Sequence, residues 1–249
     1  MHPFVGSWHG LDQIEVEMYR MAQGANPIEV YLEIGQTRTF AGALDWPGWC
    51  RSGRDETSAL QALCDYGPRY ARALQRTRLR FRAPSEASAL VVVERLTGNA
   101  TTNFGAPNLA LSGDTKPIDP TELQRWQVVL NACWRTFDMA VRAAALPALS
   151  TGPRGGGRTL TKIIQHVRDV DASYLTSLGG KLKPSDEDEP SQALAHVRHT
   201  ILTTLIAAAR GEVPALGPRG GVRWTPRYFV RRLAWHELDH AWEITDRAG

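Results

Sequence analysis

The stretch LAWHELDHAWEI, residues 233–244, sets His236 and His240 four positions apart, with Glu237 directly after the first histidine. On a helix, residues four apart lie about 40° from each other around the axis, so both imidazoles can reach one metal ion. Two readings follow. In one, this is the helical His-Glu-x-x-His motif of a zinc hydrolase, with Glu237 as general base. In the other, the pair is part of a different metal site and Glu237 is incidental. Two ligands rarely suffice, so the fold hinges on where a third ligand comes from.

The surrounding sequence reads as all-helical from residue 115 to 249. Asp119-Pro120 supplies an N-cap and a first-turn proline for a helix running to about 145. Its apolar stripe is Leu123, Trp126, Leu130, Trp134, Phe137 and Val141, at three- and four-residue spacing. Thr159 caps a second helix over 160–178, which Gly179-Gly180 ends. The acidic stretch KPSDEDEP (183–190) is a linker, and a third helix runs from about 191 to 210. A fourth, opened by Thr225-Pro226, covers 226–247 and carries the histidine pair. Four such helices can bury a shared core as an up-down bundle.

On the second of these helices, LTKIIQHVRDVDASYL (160–175) carries His166 amid Ile163, Val167 and Val170, at the edge of the apolar stripe. His166, His236 and His240 together make a three-nitrogen site with a position left open for water, substrate or thiol, as in catalytic sites. Asp239 is the carboxylate expected to orient a ligating imidazole through its other ring nitrogen. A pairing with Arg232 or Arg168 is the alternative. Glu237, about 100° around the helix from His236, is expected to be solvated or salt-bridged.

A lone histidine on the second bundle helix with His-x-x-x-His on the last resembles the DinB-like four-helix metalloproteins. That group includes bacillithiol and mycothiol S-transferases and related hydrolases. The tail RYFVRRLAWHELDHAWEITDR (227–247), with Trp235 before the first histidine and Asp239 before the second, is especially similar. The resemblance covers the C-terminal half. It implies a divalent metal (zinc first, nickel or iron otherwise), often a homodimer, and in some members a low-molecular-weight thiol cosubstrate. It names no catalytic side chain. The rival zinc-hydrolase motif is similar to peptide deformylases, whose third ligand is an upstream cysteine. Cys50 would have to serve, but its neighbours Gly48, Trp49, Arg51 and Ser52 lack the Glu-Gly-Cys context of that family, and Ala241 and Trp242 stand where its leucine and glycine follow.

Residues 1–110 have a different texture. PIEVYLEIG (27–35) alternates Ile28, Val30, Leu32 and Ile34 with Glu29, Tyr31 and Glu33, as a strand does. RTFAGAL (38–44) reads as a second strand and ALVVVERL (89–96) as a third, with a short fourth near TTNFGAP. Between them, Pro47-Gly48 and Ser52-Gly53 punctuate a loop. Asp55 then caps a helix over 56–75, without a full capping box, that Gly67-Pro68 kinks or splits. Pro47, Gly48, Ser52, Gly53, Asp55, Glu56, Ala59 and Leu60 resemble the HicB-like small domain. That family is best known as a toxin-neutralising partner. No DNA-binding segment follows here, so the antitoxin role is not implied. The expected fold is therefore α+β, a HicB-like α/β unit joined to a DinB-like bundle.

Composition sets the outer bounds. Of 249 residues, 43% are hydrophobic and 22% charged, as in an ordinary globular protein. A net charge of +3 without a concentrated basic stripe argues against nucleic acid. The N-terminus shows no signal-peptide pattern, and the longest apolar run, ILTTLIAAA (201–209), is too short for a membrane span. Three widely spaced cysteines, Cys50, Cys64 and Cys133, form no Cys-x-x-Cys, which points to reduced thiols and a cytoplasmic protein. His196 and His199 are expected at the surface, and His2 and His9 in solvent. The function expected is metal-dependent hydrolysis or thiol S-transfer on a small molecule. The alternative from another class is a non-catalytic, metal-stabilised partner-binding module.

Overall fold

The computed structural model describes residues 27–145, 149–150, 157–182 and 190–248. His2, His9 and most of the acidic linker lie outside that set. The first half is a four-stranded sheet, β1 (Ile28–Ile34), β2 (Thr39–Ala43), β3 (Cys50–Gly53) and β4 (Leu90–Thr97), in the order β3-β2-β1-β4. β1 pairs antiparallel with β2 and parallel with β4, and β2 pairs antiparallel with β3. Helices α1 (Glu56–Asp65) and α2 (Gly67–Leu74) follow β3, so the chain does split at Gly67-Pro68. Asp55 caps α1 with a full capping box after all. Its Oδ1 accepts from the Ser58 amide at 2.8 Å, and the Ser58 Oγ accepts from the Asp55 amide at 3.1 Å. Serine fills the place that glutamate or glutamine usually takes.

Two strand assignments change. TTNFGAP is not a strand: Ala100–Phe104 forms a short helix, α3. The Asn99 side chain accepts from the amides of Thr101 and Thr102, and this local capping overrides the strand preference of the threonines. The fourth strand is instead β3, inside the stretch read as a loop. Its four residues, CRSG, carry no alternating pattern and are held extended only by pairing with β2.

The second half is helical: α4 (Pro120–Ala143), α5 (Leu160–Leu178), α6 (Pro190–Ala209) and α7 (Pro226–Ala248). Asp119 and Thr159 cap α4 and α5 as their positions predict, and Gly179, left-handed at φ 107°, ends α5. Trp126, Leu130, Trp134 and Phe137 bury the stripe of α4. No described helix is long and apolar enough to cross a membrane.

α7 joins the two halves. One side packs against α4, α5 and α6, and the other against the sheet unit. Val30, Leu32, Trp49, Leu63 and Tyr70 share one buried core with Trp126, Leu130, Leu233, Ala234 and Leu238. Polar ties run alongside. Arg51 meets Asp239 at 2.9 Å, Arg69 meets Asp246 at 2.8 Å, and the Tyr228 hydroxyl donates to the Asn108 carbonyl at 2.9 Å. The second face of β1 is covered as well: Tyr31 and Glu33 are buried. Glu33 accepts from the amides of Asn108 and Leu109 and from the Thr102 hydroxyl.

Gly48 packs tightly against α7. Its φ is +93°, and a Cβ there would sit 3.0 Å from Leu238 Cδ1 and 3.1 Å from the Ala234 Cβ. The Pro47-Gly48 turn thus needs glycine for conformation and for space, against residues of α7 that each lie two positions from His236. Gly48→Ala is expected to destabilise the protein by about 1–3 kcal/mol. Urea unfolding of the two proteins, with unchanged slope and a lowered midpoint, checks this.

Candidate metal centre

α5 and α7 run side by side and bring His166 to His236 and His240. One ring nitrogen from each lies within 4.8 Å of the others. The Nε2 atoms of His236 and His166 are 3.4 Å apart, and the ring centroids are 4.6 to 5.3 Å apart. That nitrogen separation is long for an N–H···N hydrogen bond. It matches two ligands on one tetrahedral zinc ion, for which Zn–N bonds of about 2.0–2.1 Å imply nitrogens roughly 3.3–3.4 Å apart. His236 and His240 are buried and His166 half-buried.

The electrostatics favour neutral rings. Burial first, and then the neighbouring histidine and arginine charges, push His166 down and His236 well down from the ordinary imidazole range. Neutral imidazole is the form that ligates. The tautomer of His240 is set by Glu243, whose Oε2 lies 2.8 Å from Nδ1 and leaves Nε2 free. Glu243 is held in turn by Arg247, which donates to Oε1 at 2.9 Å and to the carbonyls of Ser150 and Arg158. The His240 contact, with Arg247 behind it, keeps the Glu243 carboxyl below its usual range. Nδ1 of His236 has no partner among the described residues.

The orienting carboxylate is therefore Glu243 and not Asp239. Asp239 points away and binds Arg51, not Arg232 or Arg168. The signal was present in the spacing. A residue three positions on shares a helical face with His240, whereas the residue before it lies about 100° away.

Of the two expectations for Glu237, solvation fails and the salt bridge holds, with Arg198 3.7 Å away. Glu237 is fully buried, about 100° around α7 from His236, in a cluster with one residue from each bundle helix. Arg198 of α6 donates to Asp138 of α4 at 2.8 and 3.0 Å and lies 3.7 Å from Glu237. Asp171 of α5, also fully buried, faces Glu237, and neither carboxyl has an N–H or hydroxyl donor among the described residues. Burial, then the Glu237 charge, hold Asp171 well above the carboxylate range. Burial raises the Glu237 carboxyl as well, so both acids are pushed toward the protonated form. Glu237 thus serves the bundle interior rather than the histidines.

Cys50 is also elsewhere. It packs with Phe40 and Trp235, and its sulfur accepts from the Tyr31 hydroxyl at 3.7 Å. It is absent from the convergent set, as are Cys64, Cys133, His196 and His199. His199 is exposed as its position predicts, but His196 is half-buried, with Nε2 unpaired among the described residues.

Comparison with protein-family models, with curated proteins and with solved structures gives no match.

Two outcomes are expected. Glu243→Gln should weaken zinc binding about 10- to 100-fold, read by competition with a chromophoric chelator, because the His240 tautomer loses its anchor. The metal-free protein should lose stability on acidification. The depressed histidines stabilise the fold above the unfolded-state value of about 6.5, and that contribution fades as pH falls through their lowered values. Asp171, raised, slopes the opposite way, so melting curves of the protein and of His166→Phe are compared: the variant should show the shallower acid loss.

Proposed function

We propose that this protein binds a divalent metal ion through His166, His236 and His240 and uses it in hydrolysis or thiol S-transfer on a small molecule. The observation that carries this is the convergence of three imidazoles from two helices, with Glu243 and Arg247 fixing one of them. A neutral three-nitrogen set suits zinc, with nickel or iron as alternatives. When bound, such an ion acts as a Lewis acid and lowers the pKa of a water or thiol that it coordinates.

The chain's own groups add to this. Arg158 and Arg232 place positive charge near the histidines, which favours an anionic nucleophile or a substrate carboxylate. Tyr174 sets its ring edge-on to His236 at 5.8 Å, and Trp235 lies at 6.2 Å, so the site has an aromatic wall. Arg232 spans the Tyr174 and Trp235 rings and donates to the Pro107 carbonyl at 2.6 Å, which ties this wall to the sheet unit.

We read the bundle as DinB-like. The lone histidine on its second helix and the pair on its last support this. The sheet unit is read as HicB-like on the Pro47-Gly48 turn, Ser52-Gly53 and the Asp55 cap. A cytoplasmic location and a homodimer belong to the same proposal.

The test is elemental analysis of the purified protein beside His166→Ala. About one equivalent of metal in the first and a clear loss in the second are expected. Equal metal content would show that α5 contributes no ligand and would overturn the proposal. Incubation with ester and electrophile–thiol panels, with and without chelator, then separates hydrolysis from S-transfer.

A further inference from the structure

Away from the histidines, α2, α4 and α7 diverge around a cavity of about 270 Å³. This is near the lower end of the range for small-molecule pockets, about 300–1,000 Å³. Small side chains make the hollow. Ala73 of α2 and Thr136, Ala140 and Ala143 of α4 line it, and Trp242 and Thr245 reach it from α7. Met139, 49% exposed, offers its thioether there.

The rim is basic. Arg69 and Arg72 lie three apart on α2, Arg76 follows just beyond its end, and Arg135 stands opposite on α4. Only Arg69 has a carboxylate, Asp246 at 2.8 Å. Arg72, Arg76 and Arg135 have none within 4.0 Å among the described residues. Like charges three apart on a helix, as Arg69 and Arg72 are, repel. The negative end of α2 favours a cation nearby, but Arg135 is mid-helix, where no dipole end reaches it. An apolar hollow ringed by uncompensated guanidiniums lacks one thing, a negative charge carried on an apolar body.

We infer that this cavity is a binding site for an amphipathic organic anion, with a carboxylate or phosphate head gripped by Arg72, Arg76 and Arg135 and a short apolar tail against Met139 and Ala140. Guanidinium matches either head bidentately. A nucleic acid strand fits less well. The Trp242 ring is buried and covered by Arg69, whose guanidinium carbon lies 5.6 Å from it, so it offers no face for a base to stack on. The site is separate from the histidines: Trp242 and Thr245 lie on a different face of α7 from His240 and Glu243. It stands whether or not a metal is bound.

The test titrates the full chain by calorimetry with octanoate and with octyl phosphate, beside inorganic phosphate, octanol and a short single-stranded oligonucleotide. Saturable binding of one or both alkyl anions is expected, with a dissociation constant below about 1 mM. Arg72→Gln and Arg135→Gln should each weaken it about tenfold. Met139→Glu, at an exposed position, should weaken it too by setting a carboxylate beside the tail and near the head. Circular dichroism verifies the fold of each variant. The preferred head group tells a carboxylic acid from a phosphate ester. The inference is overturned if neither alkyl anion saturates, if the arginine variants bind unchanged, or if octanol binds as well as the anions. It is also overturned if the oligonucleotide binds more tightly than either alkyl anion and depends on the same arginines, which would make this a polyanion surface.

Discussion

Helix α7 has almost no solvent face, and the rest of the molecule is arranged around that constraint. Residues 233 to 238 are buried without interruption, and burial resumes at His240. A helix enclosed all round must be apolar or must match each polar side chain to a partner. α7 is not apolar, so it takes the second course. Arg231 binds Asp114, Arg232 the Pro107 carbonyl, Glu237 its partners in the bundle, and Arg247 both Glu243 and two carbonyls. Nδ1 of His236 and the two carboxylate oxygens of Glu237 have no hydrogen-bond partner among the described residues, and one ring nitrogen each of His236 and His240 faces one of His166 on α5. Such a set could hold a metal ion.

The bundle interior carries two polar layers with opposite demands. In one, His166 and His236 are held neutral by burial and by positive neighbours. In the other, Asp171 is pushed to hold a proton while Arg198 is shared between Asp138 and Glu237. α5 contributes to both, with His166 and Asp171 five residues apart, and α7 contributes the adjacent pair His236 and Glu237. Adjacent residues on a helix diverge by about 100°, so the two layers stay separate although the sequence interleaves them. Within the His-Glu-x-x-His string, the glutamate is buried beside Arg198 of the other layer.

The sheet unit bears on the site by shape more than by chemistry. Its Pro47-Gly48 turn presses on Ala234 and Leu238, its Arg51 draws Asp239 outward, and its 105–114 segment receives Arg231 and Arg232. Together these set the rotation of α7 about its axis. That rotation decides which polar residues look toward α5 and which look toward the sheet.

Much of this was legible from local pattern. The caps Asp119 and Thr159, the stripe Trp126–Leu130–Trp134–Phe137 and the four-residue spacing of His236 and His240 all express helical periodicity, which is a property of neighbours in sequence. The sequence by itself determined that α4 to α7 form, which faces they bury and that two histidines share one face. Only tertiary structure decided that α5 lies close enough to add His166, that β3 exists, that Asp239 turns to Arg51 while Glu243 orients His240, and that Asp171 and Glu237 are buried together. Those outcomes depend on how far apart helices pack and how each is rotated. Side chains distant in sequence set both jointly, so no single window of the chain encodes them.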